Sequence, residues 1–227
     1  ISFKEALQFF QTAQLTQCRE KAQAAGGGRG LAALLRCLCG PPRLQPQLRG
    51  ERELALAMAH CALDDNEGVH MRILQTIYKQ LTRSRLGCPR YGEHWEELGF
   101  QGRAEERPGG ETSAQGHPHP CPEAAQGLHH EPLLLQHFPF CIMSINITRM
   151  VLQALREERL SRECNRRQEV IPVLNQLYAA AFLRLYRLWR GQHKTVSDSS
   201  VLLKELEFST KKRPKQLLKS LEVYISQ

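Results

Sequence analysis

The sequence predicts an all-α protein, and three observations carry that reading. Apolar residues recur at helical spacing through almost the whole chain outside residues 103–132. Stretches with the period-two alternation of a half-buried strand are hard to find. Helix-boundary chemistry, meaning a capping Ser–Glu pair and Gly- or Pro-rich stops, sits at the ends of the apolar runs. With 227 residues and 41% apolar content the chain is long enough to bury a substantial core, so one large helical domain over 1–227 is the expectation.

Ser2 and Glu5, three residues apart, form a capping box that opens a first helix through Leu7 and Phe10 toward Leu15. The run Gly26-Gly27-Gly28-Arg29-Gly30 is expected to end it. A second helix is predicted over 31–38 and is closed by Gly40-Pro41-Pro42, because proline cannot continue a helix. A third is predicted over 51–63 and a fourth over 69–81, with Asp64, Asp65 or Asn66 as candidate caps. In the fourth, Val69, Ile73, Leu74, Ile77 and Leu81 lie on one stripe, as a core-facing helix requires.

Farther along, Ile147, Met150, Val151, Ala154 and Leu155 make another stripe. Val170, Leu174, Leu177, Ala181 and Leu185 mark a long helix that tolerates Pro172 in its first turn. Shorter helices are predicted over 199–208 and 214–225, giving an orthogonal or bundle-like helical domain. Residues 103–132 differ: five prolines and four glycines fall there, and Leu128 is the one aliphatic residue beyond alanine. Such a segment buries too little apolar surface to offset the entropy of ordering, so a disordered loop or linker within the domain is predicted.

Composition excludes several classes of function. No run of about 18 uninterrupted apolar residues is present, so no ordinary transmembrane helix is expected and the chain reads as soluble. No signal peptide is evident, and a start at Ile1 rather than methionine predicts that a piece at the front is absent. The net charge of +8 raises nucleic acid as a partner, yet the basic residues are interleaved with glutamates, as in Arg156-Glu157-Glu158-Arg159. The compact run Lys211-Lys212-Arg213-Pro214-Lys215 is expected to be a solvated helix start, with a nuclear-localisation-like or acidic-lipid patch as its rival. Eight scattered cysteines lack the spacing of a zinc ribbon or disulfide scaffold and read as reduced thiols, the pair Cys37 and Cys39 included.

No metal or cofactor site is expected. His117, His119, Cys121, His129 and His130 are suitable ligand types at unsuitable spacing, interrupted by prolines. The glycine run at 26–30 lacks the lysine and hydroxyl residue of a phosphate-binding loop, so the chain is not expected to bind GTP itself.

One stretch carries a functional signal. His94-Trp95-Glu96-Glu97-Leu98-Gly99-Phe100-Gln101-Gly102 contains Trp-x-x-x-Gly-Phe-Gln. Longer ordered blocks accompany it, among them Phe9-Phe10-Gln11-Thr12, Leu74 to Lys79, Phe138-Pro139-Phe140-Cys141, Leu160 to Arg166 and Leu203 to Glu207. Together these resemble the ELMO-domain family over about 1–102 and 138–227, with 103–132 unmatched.

The resemblance implies an all-α ELMO-type domain that engages a small GTPase of the Arf or Arf-like group in its GTP-bound state and stimulates hydrolysis. Arf-like GTPases of the tubulin-cofactor-associated branch are the expected partners. It implies a regulator of another enzyme, working in the cytoplasm at the cytoskeleton or in actin-rich or ciliary projections, with no cofactor and no nucleic acid. Peripheral membrane contact stays open.

In that family the motif is followed by a proline and an Asp-x-Arg-Gly element whose arginine is the activating residue. A guanidinium offsets charge developing on the transferred phosphoryl group, worth about 10³ to 10⁵ in rate. Here Gly102 is followed by Arg103-Ala104-Glu105-Glu106-Arg107-Pro108, in which no Asp-x-Arg-Gly can be read. Arg103 and Arg107 are weak substitutes, since a flexible loop does not hold a catalytic charge in place. Trp95, Gly99 and Phe100 are expected to anchor a turn on the core ahead of touching a partner. Gln101 either positions a polar network at the GTPase surface or is an exposed amide. A non-catalytic GTPase-binding module is the first rival reading and a basic nucleic-acid binder the second.

Overall fold

The structure is a computed structural model that describes residues 1–25, 42–92, 94–95, 98, 140–191 and 198–227. Among the described residues there are nine α-helices, one 3₁₀ turn and no strand, as the apolar periodicity predicts. The expected helix over 31–38, its Gly-Pro-Pro stop, and the segment 103–132 lie outside them.

Helix α1 (Phe3–Thr12) opens on the expected capping box: the Ser2 hydroxyl accepts from the Glu5 N–H at 3.2 Å, and the Glu5 carboxylate accepts from the Ser2 N–H at 2.8 Å. It stops well short of the glycine run. Thr12 turns its hydroxyl onto the carbonyls of Gln8 and Phe9, Ala13 is extended, and buried Leu15 precedes a separate α2 (Thr16–Ala24). A 3₁₀ turn (Pro46–Leu48) leads into α3 (Arg49–Met58).

That third helix ends five residues before the predicted Leu63. The N–H groups of His60 and Cys61 bond to carbonyls three residues back, and the Asp64 N–H donates to His70 Nδ1 at 3.0 Å. Helix α4 (Gly68–Thr82) follows with Ile73 and Ile77 buried. None of the candidate caps serves it. Glu67 is the N-cap and makes no side-chain bond, while the Asp64 carboxylate accepts from the Asn66 N–H at 2.9 Å in a local turn.

The second half comprises α5 (Phe140–Arg156), α6 (Ser161–Arg167), α7 (Ile171–Gly191), α8 (Ser199–Lys212) and α9 (Pro214–Ile225). All five residues of the predicted α5 stripe are buried. Helix α7 is apolar nearly all round its middle, burying Leu177, Tyr178, Ala180, Ala181, Phe182 and Leu183. A helix of that kind belongs at the centre, and α7 packs against α3, α5, α8 and α9. Helices α1 and α2 in turn pack on α3, and one hydrophobic cluster joins both halves.

Polar contacts fix the joints. The Glu51 carboxylate of α3 accepts from the N–H groups of Val170 and Ile171, each at 2.9 Å, and so supplies the entry of α7 with a cap from a distant helix. Asn165 of α6 accepts from the Gln45 N–H at 3.0 Å and donates to the Arg43 carbonyl at 2.9 Å. The basic run at 211–215 is the expected helix start in its second half only: Lys211 and Lys212 close α8, Arg213 is the joint, and Pro214 opens α9. No helix of the described residues is long and apolar enough to cross a membrane.

Candidate functional site

The Trp-x-x-x-Gly-Phe-Gln stretch starts on a platform built by the end of α4 and the chain that follows it. Arg83 closes α4 in the left-handed conformation, at φ 57°, and sends the chain back along the helix. Gln75 of α4 brackets Cys88: its side-chain carbonyl accepts the Cys88 N–H at 2.9 Å and its NH₂ donates to the Cys88 carbonyl. Arg90 adds a second fastening, pairing with Asp65 and donating to the Leu63 carbonyl at 3.1 Å, with its guanidinium 5.0 Å over the Tyr91 ring.

Trp95 is buried, at 9% exposure. Its indole N–H donates to the Pro89 carbonyl at 3.1 Å, and the same carbonyl lies 3.0 Å from His94 Nε2. Tyr78 of α4 meets the Trp95 ring edge-on at 5.4 Å and the His94 ring at 5.5 Å. The turn into this cluster needs glycine. Gly92 has φ +139°, and a Cβ there would stand 2.8 Å from the His94 ring. Trp95 thus holds the start of the motif rigidly to α4 and offers no nucleophile, acid or base. Leu86 and Tyr91 on the same loop are exposed, at 77% and 59%.

The remaining predicted site residues, Gly99, Phe100, Gln101, Arg103 and Arg107, lie outside the described residues. So do Cys37, Cys39, Cys121 and the histidines at 117, 119, 129 and 130. Among the described residues no three His, Cys, Asp or Glu side chains are grouped to hold a metal. Five free thiols are described. Burial pushes Cys141 and Cys164 up to about 12, and burial together with neighbouring Cys18 pushes Cys61 to about 11, so all three stay protonated at neutral pH.

Sequence reading missed a second feature. A cleft of about 500 Å³ is lined by His60 just past α3, by Arg149, Gln153 and Arg156 of α5, and by Glu207 and Lys211 of α8. His60 and Lys211 are 151 positions apart in the chain, and no local pattern announces their meeting.

The sequence profile of the ELMO/CED-12 family matches residues 53–107 and 113–203. It runs through most of 103–132, which motif comparison left unmatched, and omits 108–112. ELMO domain-containing protein 3 of Bos taurus and of Homo sapiens are each 50% identical to this chain, over 239 and 235 residues, and that of Mus musculus is 49% identical over 239. In each case the whole chain is covered, and it spans 62% of the relative's length. No solved structure matches. With its profile match extending over more than half of the sequence, the chain belongs to the ELMO/CED-12 family.

Proposed function

We propose that this chain binds the GTP-bound form of an Arf-family or Arf-like small GTPase and regulates its GTP hydrolysis. Membership of a family that works in small-GTPase signalling, as regulators or scaffolds, is the observation that carries this reading. The Trp-x-x-x-Gly-Phe-Gln stretch supports it, because its first residue is fixed to α4 and the exposed Leu86 and Tyr91 stand on the same loop. In this reading residues 1–227 form one ELMO-type domain, with 103–132 a loop or linker within it. The protein regulates another enzyme, with no cofactor of its own, and works in the cytoplasm, at the cytoskeleton or in actin-rich or ciliary projections.

A second reading, a GTPase-binding module without catalysis, is favoured by one specific feature: no Asp-x-Arg-Gly follows Gly102. Single-turnover GTP hydrolysis by a panel of Arf and Arf-like GTPases separates the two. The chain is assayed beside a version carrying an ELMO-type arginine segment. Stimulation by both assigns the activating charge to Arg103, Arg107 or another arginine of this chain. Stimulation by the repaired version alone makes this chain a binder. Stimulation by neither, with no binding to any GTPase tested, overturns both readings.

A further inference from the structure

The cleft between the end of α3 and helices α5 and α8 carries more positive than negative charge. Three cations, Arg149, Arg156 and Lys211, face one carboxylate, Glu207. Lys211 is matched, with Glu207 at 2.7 Å and Glu157 at 3.8 Å. The arginines are not. Arg156 places an Nη 2.8 Å from His60 Nε2, and its Nε is buried with no acceptor. Arg52, behind it, donates to the Arg156 carbonyl at 3.3 Å, and its Nε also lacks an acceptor. Arg149 is exposed and forms no ion pair among the described residues.

His60 does not supply the missing negative charge. Burial, then Arg156 and Lys21, hold its imidazole below the ordinary value, so the ring is neutral at physiological pH. Burial and the adjacent Arg52 likewise act against the charge on Arg156. A partly buried guanidinium such as that of Arg156, with a neutral imidazole as its side-chain partner and no carboxylate, is costly to keep charged, and the cost falls when an anion supplies oxygen atoms.

We propose that this cleft binds a phosphate-bearing ligand of about the size of an inositol phosphate, with Arg149 and Arg156 as its anion contacts. The excess of two positive charges is offset by one phosphate group of charge about −1.5 to −2. Guanidinium forks match phosphate oxygens in bidentate geometry, and the Asn146 and Gln153 amides, whose NH₂ groups donate to the Ile142 carbonyl and to Glu157, keep their side-chain carbonyls to accept from ligand hydroxyls. A volume of about 500 Å³ suits such a molecule. The shared chemistry is a phosphorylated polyol, free in solution or presented as a lipid headgroup. The site is independent of the GTPase reading.

The test is calorimetric titration of the whole chain with inositol 1,4,5-trisphosphate, in parallel with flotation on phosphatidylcholine vesicles with and without phosphatidylinositol 4,5-bisphosphate. Saturable binding is expected, weakened roughly tenfold by Arg149→Ala and by Arg156→Gln and unchanged by Lys219→Ala, a cation outside the cleft. Arg149 is exposed, so its variant tests the site even where Arg156→Gln perturbs the fold. Bound phosphate should also raise the His60 pKa, followed by NMR of the ring that faces Arg156, Lys21 and the cleft's Arg149, Lys211 and Glu207. Binding in both arms, or to free trisphosphate alone, supports the site with a soluble source. Binding confined to vesicles carrying the phosphoinositide supports it with a headgroup source. Absence of saturable binding in both arms, equal weakening by Lys219→Ala and Arg149→Ala, or an unmoved His60 overturns it.

Discussion

At the scale of single residues, two side chains do structural work out of proportion to their size. Glu51 takes hydrogen bonds from two backbone N–H groups at the entry of α7. Removing it leaves both donors at a helix start without their partner. Glu51→Ala should therefore lower stability by about 1–3 kcal/mol in chemical denaturation, with Glu51→Gln losing less because its side-chain oxygen still accepts. Trp95 is the counterpart on the motif side, buried against Tyr78 and tied to Pro89. Trp95→Ala should cost about 3–5 kcal/mol. Trp95→Phe keeps an aromatic ring and loses the indole hydrogen bond, so its cost should be nearer 1 kcal/mol. An unfolding midpoint unmoved by Trp95→Ala would refute the anchoring role.

At the scale of elements, the boundaries show where sequence reading succeeds and where it stops. Helices α5, α7 and α9 were legible because each presents an apolar stripe over three turns or more. The α1 start was legible because both halves of its capping box are local. Helix α6 was not, since only Ser161 and Cys164 are buried in the seven residues Ser161–Arg167 and no periodicity emerges. The stop of α4 fell within one residue of the predicted 81, whereas that of α6 and the turn that follows α5 escaped notice. The residues in left-handed conformation there are Arg83, Gln168 and Glu158, where a glycine would have been the usual signal. Glu158 makes no side-chain bond among the described residues. Glu158→Gly should relieve its backbone and raise stability by about 0.5 kcal/mol, after the entropic cost of glycine is subtracted, measurable as a higher denaturant midpoint.

At the scale of the whole molecule, buried His70, half-buried His60 and paired carboxylates give stability one direction of pH dependence. Burial holds His60 and His70 below the ordinary 6.5, so each favours the fold above that value and loses its contribution as pH falls through its lowered folded value. The Arg166 hydrogen bond, with Arg167, holds Glu163 down. Burial opposes the same shift at Glu157, but the Gln153 amide, Lys211 and Arg159 outweigh it. These carboxylates stabilise the fold above the ordinary 4.5 and cease to do so as they protonate below it. Denaturation midpoints should fall in two stages, first from about pH 6.5 and then below about 4.5. Removing His60 and His70 should flatten the first stage.

The site was half legible at this scale. Trp-x-x-x-Gly-Phe-Gln is a contiguous motif, whereas the cleft depends on the chain just past α3 coming beside α5 and α8, which no stretch of sequence contains. The central claim is recognition of a GTP-loaded Arf-family GTPase. Its most direct test is titration of the whole chain against Arf and Arf-like GTPases loaded with a non-hydrolysable GTP analogue or with GDP. Tighter binding of at least one member in its GTP-analogue form is the predicted result. Equal affinity for the two nucleotide states, or no binding across the panel, would contradict the account.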